Sequence, residues 1–478
     1  MSGSNLTVIG GHSSTQGLTG LVTIPSGFTG ALVTSLQSML TADSNTVAAG
    51  NANFENLNVA GQSGAKSATV GSFSSGILEI TNTSSVGATT SGSASISLSE
   101  NAGYTTLIVQ APGDETITGN GGANALDIFG ANSSVNFNTN GGTGSIFAGG
   151  ADNTVLFGSN WIFNGSPNGG ETVAGLANNS SISVAGAGAG AHSNVVSADA
   201  TDVSITAAGT TDLVVIYSGT ALVSAAGGGT VLVDGGAVTV SAAAGSSDVS
   251  AFFDTNGGEL DFINNSTVAA SVFGAVSGAV GGNATVFGGA GGGYYQGGPG
   301  GNNSLVGGSG SVTLIGSGDN NYLKGAGANN AFFAAGGATT MVAAAGSGSN
   351  LFSGGTGSLT VSTSGSAGQT FFVGASGQEI FTGSTVSGAV NSFYFLQDST
   401  GGGSDIIQNF RLGTDHILIN PFGNASTQGV TVSQVDSIKS SVSHPSGGSL
   451  VLLSDNTTIT LYGVNANAIQ SDVGGTSI

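Results

Sequence analysis

The chain has 478 residues, of which 87 are Gly, only 6% are aromatic and 6% charged, and its formal net charge is −21. Such a composition excludes disorder driven by self-repulsion and a bulky globular core, leaving a thin core built from small residues. The basic residues Lys66, Lys324, Arg411 and Lys439 are too few and too scattered to neutralise a phosphate backbone, which excludes a nucleic-acid partner, and the absence of cysteine excludes disulfides and thiolate metal sites.

Residues 1–60 form the first predicted region. The opening "MSGSNLTVIGG" carries no basic n-region and no long apolar h-region, which argues against a conventional signal peptide. No stretch of the chain approaches the roughly 18 uninterrupted apolar residues of a membrane span, so no membrane insertion is expected. One helix is predicted here, within "SGFTGALVTSLQSMLTAD", with Ser26 or Thr29 as its cap and Leu32, Val33, Leu36, Met39 and Leu40 as its apolar face. Two roles fit this helix. It caps the open end of a stack of repeats, or it docks on a neighbouring molecule, with Leu32, Leu36, Met39 and Leu40 as the assembly contact.

Residues 61–395 form a body rich in Gly, Ser, Ala and Val, and its pattern has a period of nine. Leu305, Leu314, Leu323, Phe332 and Met341 stand nine apart, after which the register slips by one at Leu351. The same spacing joins Ile128, Phe137, Ile146 and Val155, and again Ile205, Val214, Val223 and Leu232. Nine residues are too few for a helical hairpin and match no supercoil period. They suit a strand of about three residues followed by a Gly-rich turn of about six. Two such units make one coil, with the number of faces per coil left open. The predicted fold class is therefore all-β, an elongated parallel β-solenoid (β-roll or β-helix) with a short N-terminal helical segment and a C-terminal β cap.

Within this body "GGSGSVTLI" (Gly307 to Ile315) resembles the glycine-rich nonapeptide of repeats-in-toxin proteins, GGxGxDxLx, whose β-roll binds calcium through the Asp at the sixth place. Here the sixth place holds Val312, Asn321, Asn330 and Thr339 in four consecutive blocks, with Asn303 in the block before them. An Asn has an acceptor oxygen but no charge, so little or no calcium is expected at these sites. The expected substitute is a ladder in which each Asn amide bonds the side chain one coil away, the partner of Asn321 being Asn303 or Thr339.

Residues 396–478 read as a more ordinary β segment. "SDIIQNFRLGTDHILINPFG" resembles the segment that follows such repeats in proteins exported by the type I route, through Asp405, Ile406, Phe410, Gly413, Asp415, Ile417 and Ile419. The stretch "NTTITLYGVNANAIQSDV" is similar to the closing strand of the same secretion module. The resemblance implies a C-terminal export address, the type I machinery as a partner and an extracellular or cell-surface location. No cofactor is expected; Asp405 and Asp415 are the tail carboxylates left as candidates for a metal ion.

The sequence contains no HExxH, GxSxG or GxxxxGK, and His12, His192, His416 and His444 are far apart. Glu259 and Asp261 in "GGELDF" would share one strand face, as two-carboxylate chemistry requires, but no Arg or Lys lies beside them. No enzymatic activity is expected. The reading that follows is a secreted bacterial structural protein that assembles with copies of itself into a fibre, surface layer or biofilm matrix. The alternative is a surface adhesin that stacks cell-surface polysaccharide on Trp161, Tyr294 and Tyr295; a polysaccharide-acting solenoid enzyme stands third.

Overall fold

A computed structural model describes residues 5–9, 19–23, most of 34–45, the strands between 53 and 129 and, with short gaps, 133–274, 282–395, 403–419, 431–435, 448–465 and 473–474. The chain divides into two compact units, Met1–Ser247 and Asp248–Ile478. Both are built from short parallel strands. The architecture is an all-β parallel β-solenoid with one short helix.

In the second unit each coil contributes one strand to each of two sheets. One sheet runs through Asn302–Val306, Asn320–Gly325 and Ala338–Ala343; the other runs through Val312–Gly316, Asn329–Ala334 and Ser349–Ser353. A coil therefore has two faces, and its strands are four to six residues long rather than three. The parallel ladder satisfies each strand's backbone from the coils on either side, so a chain poor in large side chains still pairs its peptide groups. At the C-terminal end the pattern changes: Thr431–Val435, Gly448–Leu452 and Thr458–Tyr462 pair antiparallel, and Thr458–Tyr462 joins Ser404–Gln408 in parallel. This hairpin is the β cap.

The repeat residues Leu305, Leu314, Leu323, Phe332 and Met341 are all fully buried. They form two columns, Leu305, Leu323 and Met341 on one sheet and Leu314, Phe332 and Phe352 on the other. The slip expected at Leu351 has a simple cause. The coil lengthens from 18 residues at Asn303 to 20 at Asn330, so Phe352 takes the inward place and Leu351 turns outward. From there the column is aromatic: the rings of Phe332 and Phe352 stack at 4.5 Å, and those of Phe372 and Phe393 at 4.5 Å. Offset stacking at the strand spacing fills the thin interior with large side chains.

The first unit follows the same plan. Parallel pairing begins with Asn53–Asn58 on Gly76–Thr81. Two long strands, Val195–Ala207 and Leu213–Ala225, each serve both sheets. Phe137, Ile146, Val155, Ile205, Val214 and Val223 are buried, as their spacing predicts. Two members of the predicted ladders are displaced. Leu232 pairs with Val215 and is only half-buried, the inward place being taken by Val231. Ile128 pairs with Phe147, so Asp127 stands in the column of Ile146 and Phe163.

The helix is described at residues 34 and 36–42, where Leu36 and Leu40 are fully buried and Met39 is half-buried. Leu32 and Val33 lie outside the described residues. An antiparallel hairpin, Asn5–Ile9 with Thr19–Thr23, precedes it.

Glycine is required where turns stack on turns. A Cβ on Gly357 would lie 1.7 Å from the carbonyl oxygen of Gly337, and one on Gly377 would lie 2.0 Å from that of Gly357. At these corners backbone rests on backbone at the strand spacing, which leaves no room for a side chain.

Candidate functional site

The sixth place of the repeat becomes a corner of the coil, two residues before an inward apolar side chain. In the second unit Asn303 Nδ2 donates to Asn321 Oδ1 at 2.9 Å, and Asn321 Nδ2 donates to Thr339 Oγ1 at 3.3 Å. On the other sheet Asn330 Nδ2 donates to Asn350 Oδ1 at 2.8 Å, and Asn350 Nδ2 donates to Ser366 Oγ at 2.8 Å. All six side chains are buried. An amide carries both a donor and an acceptor, so a run of Asn side chains passes hydrogen bonds along the stack without a charge.

The corresponding corner of the first unit mixes amides with acids. Asn153 Nδ2 donates to Glu171 Oε1 at 3.2 Å, Glu171 N donates to Asn194 Oδ1 at 3.1 Å, and Asn194 Nδ2 donates to Asp212 Oδ1 at 2.8 Å. Glu171 is fully buried, and its Oε2 has no hydrogen-bond partner. Burial pushes its carboxyl up to about 8, against the opposing pull of the Ser166 N–H and the Asn153 amide, while the charge of Asp152 adds to the rise. Asp127 has both carboxyl oxygens without a hydrogen-bond partner, and burial raises its pKa well above the carboxylate range.

Asp405 and Asp415, the two tail carboxylates, lie on opposite sheets and are both fully buried. Asp415 closes the column that includes Asn391. Its oxygens accept from Asn391 Nδ2 at 3.1 Å, from Arg411 Nη2 at 2.9 Å and from the Arg411 backbone N–H at 2.9 Å. Arg411, the chain's one arginine, thus neutralises a buried acid. Asp405 sits across from Glu379 in the register. Burial raises the Glu379 carboxyl to about 7, opposed by hydrogen bonding to Asp405 and to the Ala375 N–H. Two carboxyl groups on adjacent strands and away from water retain a proton between them. Among the described residues no group of three or more His, Cys, Asp or Glu is placed to hold a metal ion.

Of the other tail residues, Ile417 is fully buried, Phe410 packs with its ring 6.1 Å from Phe393, Ile406 is half-buried, and Gly413 occupies a turn with φ of 70°. Ile419 ends the strand His416–Ile419. His416 is exposed; His12, His192 and His444 lie outside the described residues.

The proposed sugar platforms fare differently from one another. Trp161 is buried with its Nε1 donating to Gly141 O at 3.3 Å, and Tyr295 is buried with its hydroxyl donating to Gly292 O at 2.8 Å. Neither presents a ring to solvent, because each turns inward at a core position. Tyr294 faces outward, half-buried. An exposed aromatic that the sequence reading passed over, Tyr322, stands in a shallow groove of about 360 Å³ with Asn302, Asn320, Thr340 and Thr360. Glu259 and Asp261 share one exposed strand face, Glu259 accepting from Asn283 Nδ2 at 3.4 Å.

In comparisons with known proteins, no family model, no curated protein and no solved structure matches this chain. Among the described residues no helix is long and apolar enough to cross a membrane. A parallel β-solenoid with continuous outer faces is compatible with a structural or an adhesive role.

Proposed function

We propose that the chain is an exported bacterial structural protein that assembles with copies of itself into an extracellular fibre, surface layer or biofilm matrix. One observation carries this reading: the sixth-place side chains are buried and bonded to one another along the stack. In that arrangement the repeats build a scaffold rather than presenting chemistry to solvent. Amides in place of acids make the stack independent of calcium, so the scaffold holds its shape in calcium-free surroundings. The tail motif from Asp405 to Ile419 supports export by the type I route and an extracellular location. Leu36 and Leu40 are already buried within the chain, which supports a capping role for the helix and moves the assembly contact elsewhere. Electron microscopy of the purified protein at neutral pH, with calcium and with a chelator, tests the reading. Ordered polymers are expected in both buffers; monomers in both would overturn it.

The groove around Tyr322 favours a second reading, a surface adhesin for polysaccharide. Its exposed ring, flanked by the Asn302 and Asn320 amides, offers the stacking surface and polar rim that sugars require. Retention on a polysaccharide column that is lost in Tyr322→Ala would support it; equal retention of the variant would remove it.

A further inference from the structure

The two outer faces of the Asp248–Ile478 unit differ in chemistry. On the sheet that includes Asn302–Val306 and Asn320–Gly325, outward side chains include Glu259, Asp261, Asn302, Asn320 and Lys324. The opposite sheet runs from Val249–Phe253 through Ala270–Phe273, Gly293–Gln296, Val312–Gly316, Asn329–Ala334 and Ser349–Ser353 to Gln369–Val373. Along these seven strands the described outward positions contain no Asp, Glu, Lys, Arg or His; beyond them the same sheet continues through Val390–Phe395 to His416–Ile419, where His416 is exposed. Half-buried aromatic and aliphatic side chains stand there instead. Phe252 and Phe273 stack at 4.9 Å, Tyr294 follows at 5.2 Å from Phe273, and Phe333, Leu351 and Phe371 continue the surface.

We propose that this uncharged aromatic face is where a second copy of the chain docks, face to face. The inference rests on the self-assembly reading above and assigns it a surface. Charge decides the occupant. Each copy carries a formal charge of −21, so two copies repel wherever acids are presented, and a face without charges is where that repulsion is least. Six steps of about 4.8 Å and a width of about 15 Å give about 430 Å² per copy, or about 900 Å² for a pair, below the roughly 1,000 Å² of a stable specific interface and of the size of a weak, transient contact. A single pair is therefore expected to form at micromolar rather than nanomolar concentration. Sheets pack face to face about 10 Å apart with interdigitating side chains, and a two-fold axis sets the same patch of each copy against the other.

The test is sedimentation of the full chain alongside Phe333→Asp, the milder Phe333→Thr, and Thr340→Asp on the opposite face, with circular dichroism to compare folding. Wild type and Thr340→Asp are expected to associate. Phe333→Asp, which puts a carboxylate into the otherwise uncharged face of each copy, is expected to weaken association at least about tenfold, with Phe333→Thr between. If Phe333→Asp does not fold, Phe333→Thr alone decides. Polymers that persist unchanged in the Phe333 variants would overturn this face while leaving the self-assembly reading intact. A monomeric wild type would overturn both, and wild-type monomers that pellet with insoluble polysaccharide would give the face to that occupant.

Discussion

In the Met1–Ser247 unit the buried corner of the coil is filled by Asn153, Glu171, Asn194 and Asp212, whereas in the Asp248–Ile478 unit the equivalent corner carries Asn303, Asn321 and Thr339. The backbone of the two stretches is alike, a parallel ladder closed every 18 residues or a few more. What differs is how the ladder depends on protons. A run of amides is the same at every pH, since each side chain is both donor and acceptor. A ladder that alternates amide and acid keeps its geometry only while the acid has the protonation state its surroundings favour. One fold therefore carries both a stretch insensitive to pH and a stretch sensitive to it.

The largest effect is expected where a charge is deeply buried. Arg411→Met leaves Asp415 in the interior without its cation, and the loss is expected to be about 3–5 kcal/mol. Denaturant unfolding should show a marked drop in midpoint for Arg411→Met and a smaller one for the double variant Arg411→Met/Asp415→Asn, which removes both charges. An equal drop in the two would show that charge is not the cause.

Glu171 gives the next effect, and its sign follows from where the proton resides. Folded Glu171 keeps its proton up to about pH 8, while the unfolded side chain releases it near its ordinary value of 4.5. Unfolding therefore releases a proton between those two values. Stability is fully present below about pH 4.5, falls by about 1.4 kcal/mol per pH unit through the window and levels off above about pH 8. Glu379, raised to about 7, adds a fall over a narrower window. Glu171→Gln is expected to flatten the first of these falls and to raise the unfolding midpoint at pH 9 relative to wild type, with little change at pH 4. A wild-type midpoint constant from pH 5 to 8 would contradict the assignment.

The converse substitution converts the neutral ladder into a mixed one. Asn321→Asp places an acid between Asn303 and Thr339, both buried. It is expected to cost about 1 kcal/mol at pH 5, where the acid is protonated, and about 2–3 kcal/mol at pH 9. A pH-independent difference between variant and wild type would show that this corner admits water.

Much of this arrangement was legible in the sequence because a repeat states its rule many times. The nine-residue spacing of Leu305, Leu314, Leu323, Phe332 and Met341 gave the inward columns, and the Asn at the sixth place gave the ladder, including both bonded neighbours of Asn321. The spacing misled where coils change length: Leu351 and Leu232 turn to the half-buried outer side, and Ile128, though buried, stands opposite Phe147 rather than in the column of Ile146. The buried acids were missed for a different reason. Glu171, Asp212 and Glu379 each stand two residues before an inward Val or Phe, the signature that marks Asn321, yet a carboxylate suggests solvent unless its column is known. Trp161 and Tyr295 show the same limit, since an aromatic in a Gly-rich stretch faces in or out by strand parity alone.

Strand parity also provides the smallest contrast, between neighbours in sequence. Asn320 and Asn321 each belong to an amide ladder: Asn320 Nδ2 donates to Asn302 Oδ1 at 2.8 Å on the exposed face, while Asn321 bonds Asn303 and Thr339 inside. Water replaces the exposed bond when it is lost, so Asn320→Ala is expected to change stability by no more than about 0.5 kcal/mol. Asn321→Ala removes the bonds to Asn303 and Thr339 in the interior, where water does not replace them, and is expected to cost about 1–3 kcal/mol. Because a long stack need not unfold in one step, the comparison belongs to the same urea transition in both variants, read by one probe. Equal midpoints would mean that the inner ladder adds nothing beyond the outer one, and the stability of the stack would then rest on backbone pairing and the apolar columns alone.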